Sequence, residues 1–236
     1  MILYKLKYLI IVVCVFFMNT FSMQRANFSS NEKEIFGENL DVGFLIGTPV
    51  EPILFDTLLL YFDRFDGQVI TIFDVKNELL IGRFLNEGSG QGEVVPPLRL
   101  FLSPYEKKVY FFQERVGRVN MHELDDIITQ NNITAPQQVL FGDRPANIKK
   151  TKNGYVGIGM FDDGRYRLYN SEGNMISACG KYPFFGDDMD HGARFLMYQG
   201  FLCASYDGSY FAMGSSYCDN LEFYKLEDGT ATLIKR

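Results

Sequence analysis

Histidine is scarce in this chain, which limits the metal and acid–base chemistry that it could perform. The sequence of 236 residues contains only His122 and His191. Neither belongs to a His-Glu-x-x-His run, the spacing with which one helix presents two imidazoles to zinc. We therefore predict no metal site and no catalytic residue, and we expect the His122 side chain to have a packing role.

The densest group of oxygen ligands lies in one short segment. It contains Asp187, Asp188, Asp190 and His191. Carboxylate oxygens bind calcium, but, counted from Asp188, this segment lacks the glycine and the glutamate that a calcium-binding loop places at its sixth and twelfth positions. The segment is predicted to be a solvated acidic turn, and no cofactor is expected.

A glycine-rich segment supplies the candidate binding residues, which are Gly88, Gly90, Gly92 and Glu93. Because glycine lets the backbone approach another group closely, these positions could contact a ligand or could allow a tight crossing of the chain between two structural units. Glu93 is the one ionisable residue of the segment. Its carboxylate could instead accept hydrogen bonds from backbone N–H groups of its own loop.

A small basic patch, Arg144-Pro145 with Lys149 and Lys150, stands out against an acidic background. The chain has 23 basic and 29 acidic residues, a formal net charge of −6. Such a surface disfavours nucleic acid and anionic lipid as partners. The basic patch could meet an acidic partner, or it could be a solvated edge.

Residues 1–22 have the organisation of a signal peptide. Two lysines precede an apolar run, Tyr8 to Met18, of about 11 residues, whereas a membrane span needs roughly 20. The small residues of Thr20-Phe21-Ser22 favour cleavage before Met23. An uncleaved membrane anchor and a lipoprotein modified at Cys14 are the alternatives. The chain is therefore predicted to be exported, to the periplasm or the cell surface.

The composition favours an all-β fold. Apolar residues make up 47% of the chain, enough for a packed core, and 22 Phe and 14 Tyr accompany 22 Gly and only 8 Pro. Aromatic residues suit pleated strands, and glycine suits the tight turns between them. The only candidate for a helix beyond residue 40 is a weak one at Leu124–Gln130.

An internal repeat gives the architecture. Four segments alternate apolar and polar residues and end in an aromatic residue or histidine followed by a polar residue: Ile70–Asp74, Val119–Glu123, Tyr166–Asn170 and Leu221–Lys225. Their centres lie 49, 47 and 55 residues apart. Strand-like runs precede them at Leu58–Phe62, Val109–Gln113, Tyr155–Met160 and Tyr210–Gly214. A period near 50 is typical of the four-stranded antiparallel blades of a β-propeller. The predicted domains are the signal peptide, a linker with a possible first strand at 23–50, and blades at 51–236.

The cysteines downstream of the signal peptide are predicted to stay unpaired. A two-residue turn at Asp207-Gly208 would place Cys203 opposite Ala212. Cys218 would then lie roughly 20 Å further along the hairpin, at about 3.3 Å per residue. A disulfide joins Cα atoms only about 4.4–6.8 Å apart, so this pair should remain open.

The segment Ile81–Glu93, followed by Pro96-Pro97, resembles the glycine-rich signature of TolB-like six-bladed propeller proteins of Bacteroidetes type. Phe141–Pro145, Asp163–Asn170 and Ala204–Lys225 are also similar to that family's blades. The resemblance covers about residues 50 to 235. It implies a propeller fold for this part of the chain.

Six blades of roughly 50 residues need about 300 residues. This chain has room for about four, which implies either a compact four-bladed variant or an incomplete six-bladed propeller. An incomplete propeller would expose apolar faces of its first and fourth blades, including some of Leu221, Phe223, Leu233 and Ile234. Self-association through such an exposed blade edge is therefore expected.

Propellers bind partners through loops and a central channel. The first hypothesis is an exported, non-catalytic propeller that binds a protein, peptide or glycan. The alternatives are a propeller enzyme of the metal-dependent hydrolase or lactonase type, and a shortened family member without an independent function. Fold alone does not decide between them.

Overall fold

The computed structural model describes residues 43, 46–47, 49–90, 93–103, 105–129, 136–183 and 189–236. Residues 41–236 contain four sheets, each a four-stranded antiparallel meander in which neighbouring strands are consecutive in sequence. The first two sheets are β1 Val50–Phe55, β2 Leu58–Phe65, β3 Gln68–Asp74 and β4 Leu79–Asn86, then β5 Leu98–Ser103, β6 Lys108–Gln113, β7 Arg118–Glu123 and β8 Gln137–Leu140. The other two are β9 Asn147–Thr151, β10 Gly154–Ile158, β11 Tyr166–Tyr169 and β12 Met175–Cys179, then β13 Gly200–Ala204, β14 Tyr210–Ser215, β15 Leu221–Glu227 and β16 Thr230–Lys235.

These sheets are four propeller blades, which confirms the predicted fold. The four repeated segments found in the sequence form the third strand of each blade, and the runs that precede them form the second. The predicted signal peptide at 1–22 lies outside the described residues, as does most of the predicted linker. Among the residues that the structure describes, no helix is both long and apolar enough to span a membrane.

The hairpin between β13 and β14 has the predicted register. Cys203 pairs with Ala212 across the two strands. Gly208 has a φ of 66°, in the left-handed region, as the turn requires. Cys179, Cys203 and Cys218 are free thiols.

Each blade packs one sheet face against its neighbour. Leu60 and Ile72 of the first blade share an apolar cluster with Leu100 and Phe111 of the second. Successive side chains of a strand point to opposite faces of the sheet. Phe101, which follows Leu100, therefore packs against the third blade.

The two later interfaces are rich in aromatic rings. Between the second and third blades, the Phe141 ring meets the Tyr155 and Tyr169 rings edge-on, at 5.3 and 5.0 Å between centroids. Between the third and fourth blades, the Tyr166 ring meets the Phe211 and Tyr224 rings edge-on, at 5.1 and 5.0 Å between centroids. Large, fully buried rings therefore join the blades.

Two helices interrupt the meanders. The helix predicted at Leu124–Gln130 is present as α1, Leu124–Thr129, between β7 and β8. A second helix, α2 at His191–Tyr198, was not predicted. Asp190 caps it, because its Oδ1 accepts a hydrogen bond from the Ala193 N–H at 2.9 Å. Asp190 and His191 thus start a helix rather than a turn, whereas Asp187 and Asp188 lie outside the described residues.

The fourth blade exposes the face that it turns away from the third blade. Phe201, Leu221 and Phe223 lie together on this face, and the Phe201 side chain is 80% exposed. The first blade was also expected to expose an apolar face. Tyr61 and Phe73 lie on the face that it turns away from the second blade, and both are buried, so this expectation is wrong. Self-association through the fourth blade stays a prediction.

Candidate binding cavity

The glycine-rich segment connects the first blade to the second. Gly88 donates its N–H to the Val94 carbonyl at 3.0 Å, and Glu93 donates to the Gly90 carbonyl at 3.2 Å. The Glu93 Oε2 accepts a hydrogen bond from the Gly90 N–H at 2.7 Å. Gly92 lies outside the described residues. The contacts of Gly88, Gly90 and Glu93 are thus internal to the loop, and ligand binding by these residues stays a prediction.

We expect Gly88→Ala to lower the free energy of unfolding by about 1–2 kcal/mol. A Cβ at this position would overlap the Glu93 carboxylate, which would have to leave its hydrogen bond to Gly90. Gly142→Ala is the matched control, because a Cβ there meets no atom within 4 Å. Urea unfolding measures both changes, and equal losses in the two variants would contradict this role of Gly88.

His122 is buried, as its predicted packing role requires. Its ring meets the Phe111 ring edge-on at 5.5 Å. Burial lowers the pKa of this imidazole to about 4, against a weaker opposing effect of Asp126. The side chain is therefore neutral at pH 7 and part of the packing inside the second blade. His191, by contrast, is exposed, with its Nε2 atom 3.8 Å from Asp162 Oδ1.

The described part of the chain brings together no group of three His, Cys, Asp or Glu side chains that could hold a metal ion. The described residues do enclose a cavity of about 870 Å³ among the blades. Its walls come from the first strand of every blade, which are β1, β5, β9 and β13. We call it the axial cavity.

The order of the blades explains why four distant segments meet at the axial cavity. The first strand of each blade packs beside the first strand of the next, from β1 to β5, to β9 and to β13. The first strands of the last and first blades, β13 and β1, do not pack on each other to this extent. Residues about 50 positions apart in sequence therefore become neighbours around one cavity.

Glu51 and Arg99 form an ion pair on the wall of the axial cavity. Arg99 Nη1 lies 2.9 Å from Glu51 Oε1, and the Leu100 N–H donates to Glu51 Oε2 at 2.7 Å. Glu51 has a φ of 51° beside a register shift between β1 and β2. Such a backbone angle is uncommon outside glycine, and strained residues of this kind concentrate at functional sites.

Lys149 and Lys150 of the predicted basic patch lie on the same wall, in β9. Lys150 Nζ lies 3.5 Å from Glu106 Oε1 and donates to the Thr151 carbonyl. Lys149 forms no ion pair or hydrogen bond with any residue that the structure describes, and its Nζ lies 5.1 Å above the Phe101 ring. Burial lowers the pKa of the Lys149 ammonium from its ordinary value, and the Glu51 carboxylate partly opposes this shift. Neither lysine is the solvated edge that the sequence also allowed.

Aromatic side chains also line the axial cavity. They are Tyr105, Phe201, Tyr206 and Tyr217, and all four have exposed rings. An exposed ring offers an apolar face on which a sugar ring or an apolar side chain can pack. The cavity thus combines charged groups in its wall with ring surfaces that a ligand could cover.

Comparison with known proteins agrees with the fold. A search of curated proteins finds no match. Among solved structures, a Bacteroides fragilis protein designated as exported superposes with a TM-score of 0.57 at 12% identity, over 84% of this chain and 52% of its own. A Desulfotomaculum acetoxidans protein superposes with a TM-score of 0.47 at 12% identity, over 76% of this chain and 52% of its own. A Lactobacillus plantarum protein superposes with a TM-score of 0.47 at 17% identity, over 80% of this chain and 55% of its own.

The chain thus spans about half the length of each of these three solved structures. The profile of one family, described as TolB-like 6-blade propeller-like, matches residues 21–236. This match covers nearly all of the sequence, including the glycine-rich loop and all four blades. The chain belongs to the TolB-like 6-blade propeller-like family.

Proposed function

We propose that the chain is an exported, non-catalytic propeller protein that binds a peptide or glycan in the axial cavity. The observation that carries this proposal is the cavity itself, to which all four blades contribute. Its volume of about 870 Å³ lies within the range of roughly 300–1,000 Å³ that is usual for ligand sites.

The walls of the cavity suit a polar ligand with rigid rings or side chains. Exposed Tyr and Phe rings supply contact area with little loss of conformational entropy on binding. The Glu51–Arg99 ion pair supplies fixed polar groups, which orient a ligand rather than react with it. Binding is thus the function that this combination supports.

Export rests on the amino-terminal sequence. A short apolar run behind two lysines, followed by small residues, is the pattern of a secretory signal. The similar Bacteroides fragilis structure is that of a protein designated as exported, which is consistent with the proposal.

Binding is tested by presenting arrays of glycans and peptides to the purified full chain and measuring affinities for the positives. We expect Tyr217→Ala to weaken the affinity by about two- to tenfold, the usual worth of one aromatic contact. Tyr210→Ala is the matched control, because this tyrosine is also exposed on the fourth blade but does not line the axial cavity. The absence of any bound glycan or peptide, or equal losses in both variants, would contradict the proposal.

A further inference from the structure

The axial cavity has more positive charge than its own acidic groups can balance. Its wall carries Glu51, Arg99, Lys149 and Lys150. Arg99 pairs with Glu51 and lies 4.0 Å from Glu114, and Lys150 pairs with Glu106. Lys149 is the one cation of this wall that has no carboxylate partner among the described residues, in a protein whose net charge is −6. Its ammonium is therefore the charge of the cavity that a ligand could compensate.

An unpaired, partly buried ammonium is costly for the free protein. Removing a charge from water without a partner opposes folding, and the Phe101 ring above which Lys149 Nζ lies offsets only part of that cost. An anion bound beside Nζ would compensate the charge further. A lysine held in this state favours a ligand that brings one negative charge.

Two further polar atoms on the same wall have no hydrogen-bond partner among the described protein groups. They are Nε of Arg99, a donor, and Oδ1 of Asn147, an acceptor. Asn147 lies two residues before Lys149 on β9, so the two side chains leave the strand on the same face. A ligand that satisfies the acceptor needs a hydroxyl or N–H donor close to its anionic group.

We infer that the axial cavity binds a uronic acid residue of a glycan, with the carboxylate beside Lys149 and a hydroxyl beside Asn147. This inference rests on the proposed binding function and names its ligand class. A uronate carries one negative charge, which matches the one uncompensated ammonium. It also carries hydroxyl donors for the Asn147 oxygen and a ring face for the tyrosines.

The inference is tested by calorimetric titration of the full chain with matched pairs of sugars. One pair is α-1,4-digalacturonate and α-1,4-galactobiose, and the other is a glucuronate disaccharide and its glucose counterpart. The members of each pair differ only in the carboxylates. We expect at least one uronate to bind at least tenfold more tightly than its neutral counterpart, and the difference to shrink as salt is raised.

Lys149→Met then tests the residue itself. We expect this variant to lose at least tenfold more affinity for the uronate than for the neutral sugar. Lys152→Met is the matched control, because Lys152 is exposed and absent from the cavity wall, and it should leave both affinities unchanged. Asn147→Leu keeps the lysine and should also weaken uronate binding. Comparing the thermal unfolding temperatures of this variant and of the unaltered protein shows that the variant is folded.

The outcomes separate the inference from the proposed function. Equal binding of uronates and neutral sugars, a preference for a sulfated disaccharide, or uronate binding that survives Lys149→Met would overturn the inference and leave a glycan-binding cavity in place. Binding of peptides alone would also overturn it. Failure of every glycan and peptide to bind would overturn the proposed function as well.

Discussion

Replacing Glu222 by glutamine is expected to lower the free energy of unfolding by about 3–5 kcal/mol, because it leaves Arg165 buried without its counter-ion. The Arg165 and Glu222 side chains are 2% and 0% exposed and form an ion pair. The other hydrogen bonds of the Arg165 guanidinium to described residues go to neutral acceptors, the Tyr198 carbonyl and the Ser215 hydroxyl, each at 3.1 Å. A guanidinium in this position therefore depends on one carboxylate.

This ion pair joins the third blade to the fourth. Arg165 immediately precedes β11, and Glu222 lies in β15, on the face that packs against the third blade. Glu222 Oε2 also accepts a hydrogen bond from the Tyr166 hydroxyl at 2.6 Å, and its Oε1 lies 2.6 Å from Arg236 Nη2. Loss of the carboxylate charge thus weakens two contacts across the blade interface and a third within the fourth blade.

Urea unfolding at pH 7 measures the effect. Glu87→Gln is the matched control, because Glu87 pairs with Arg64 at the surface, where both side chains are about half exposed and such pairs contribute about 0–1 kcal/mol. The double variant Arg165→Met/Glu222→Leu removes both charges and is expected to recover much of the loss. A Glu222→Gln variant no less stable than Glu87→Gln would show that this pair does not hold the two blades together.

The strands could be predicted from the sequence because their signal is local. Ile70–Asp74 and Leu221–Lys225 each alternate over five residues, and the same pattern recurs near every fiftieth position. The turn at Gly208 likewise depends on neighbouring residues alone, which is why the pairing of Cys203 with Ala212 was predicted correctly. The helix α2 has only eight residues, too few for its apolar spacing to stand out from that of a loop.

The axial cavity could not be predicted in the same way. Four residues of its wall are separated by about 50 residues or more at each step, and no short pattern connects them: Glu51, Arg99, Lys149 and Tyr217. Their proximity follows from the packing of one blade on the next, a tertiary property. The basic patch was visible in the sequence, but only the structure shows that Lys150 has a carboxylate partner and that Lys149 has none among the described residues. Arg165 and Glu222 are 57 residues apart and equally inconspicuous.

Replacing His122 by phenylalanine is expected to make the protein more resistant to mild acid. Burial lowers the pKa of His122 to about 4 in the folded protein, whereas an unfolded histidine titrates near 6.5. Between these values the unfolded chain binds a proton that the folded chain does not, so the stability contributed by the neutral ring is lost as the pH falls. The loss should reach about 2.5 kcal/mol at pH 4.5.

Phenylalanine keeps a ring against Phe111 and cannot bind the proton. From pH 7.5 to pH 4.5 the free energy of unfolding should therefore fall by about 2.5 kcal/mol less in His122→Phe than in the unaltered protein. Protonation of carboxyl groups lowers this free energy in both proteins. His191→Asn is the control, because His191 is exposed at the start of α2, and it should follow the unaltered protein. Equal acid sensitivity of His122→Phe and the unaltered protein would mean that His122 takes up its proton without unfolding, and that the second blade opens locally to admit the charge.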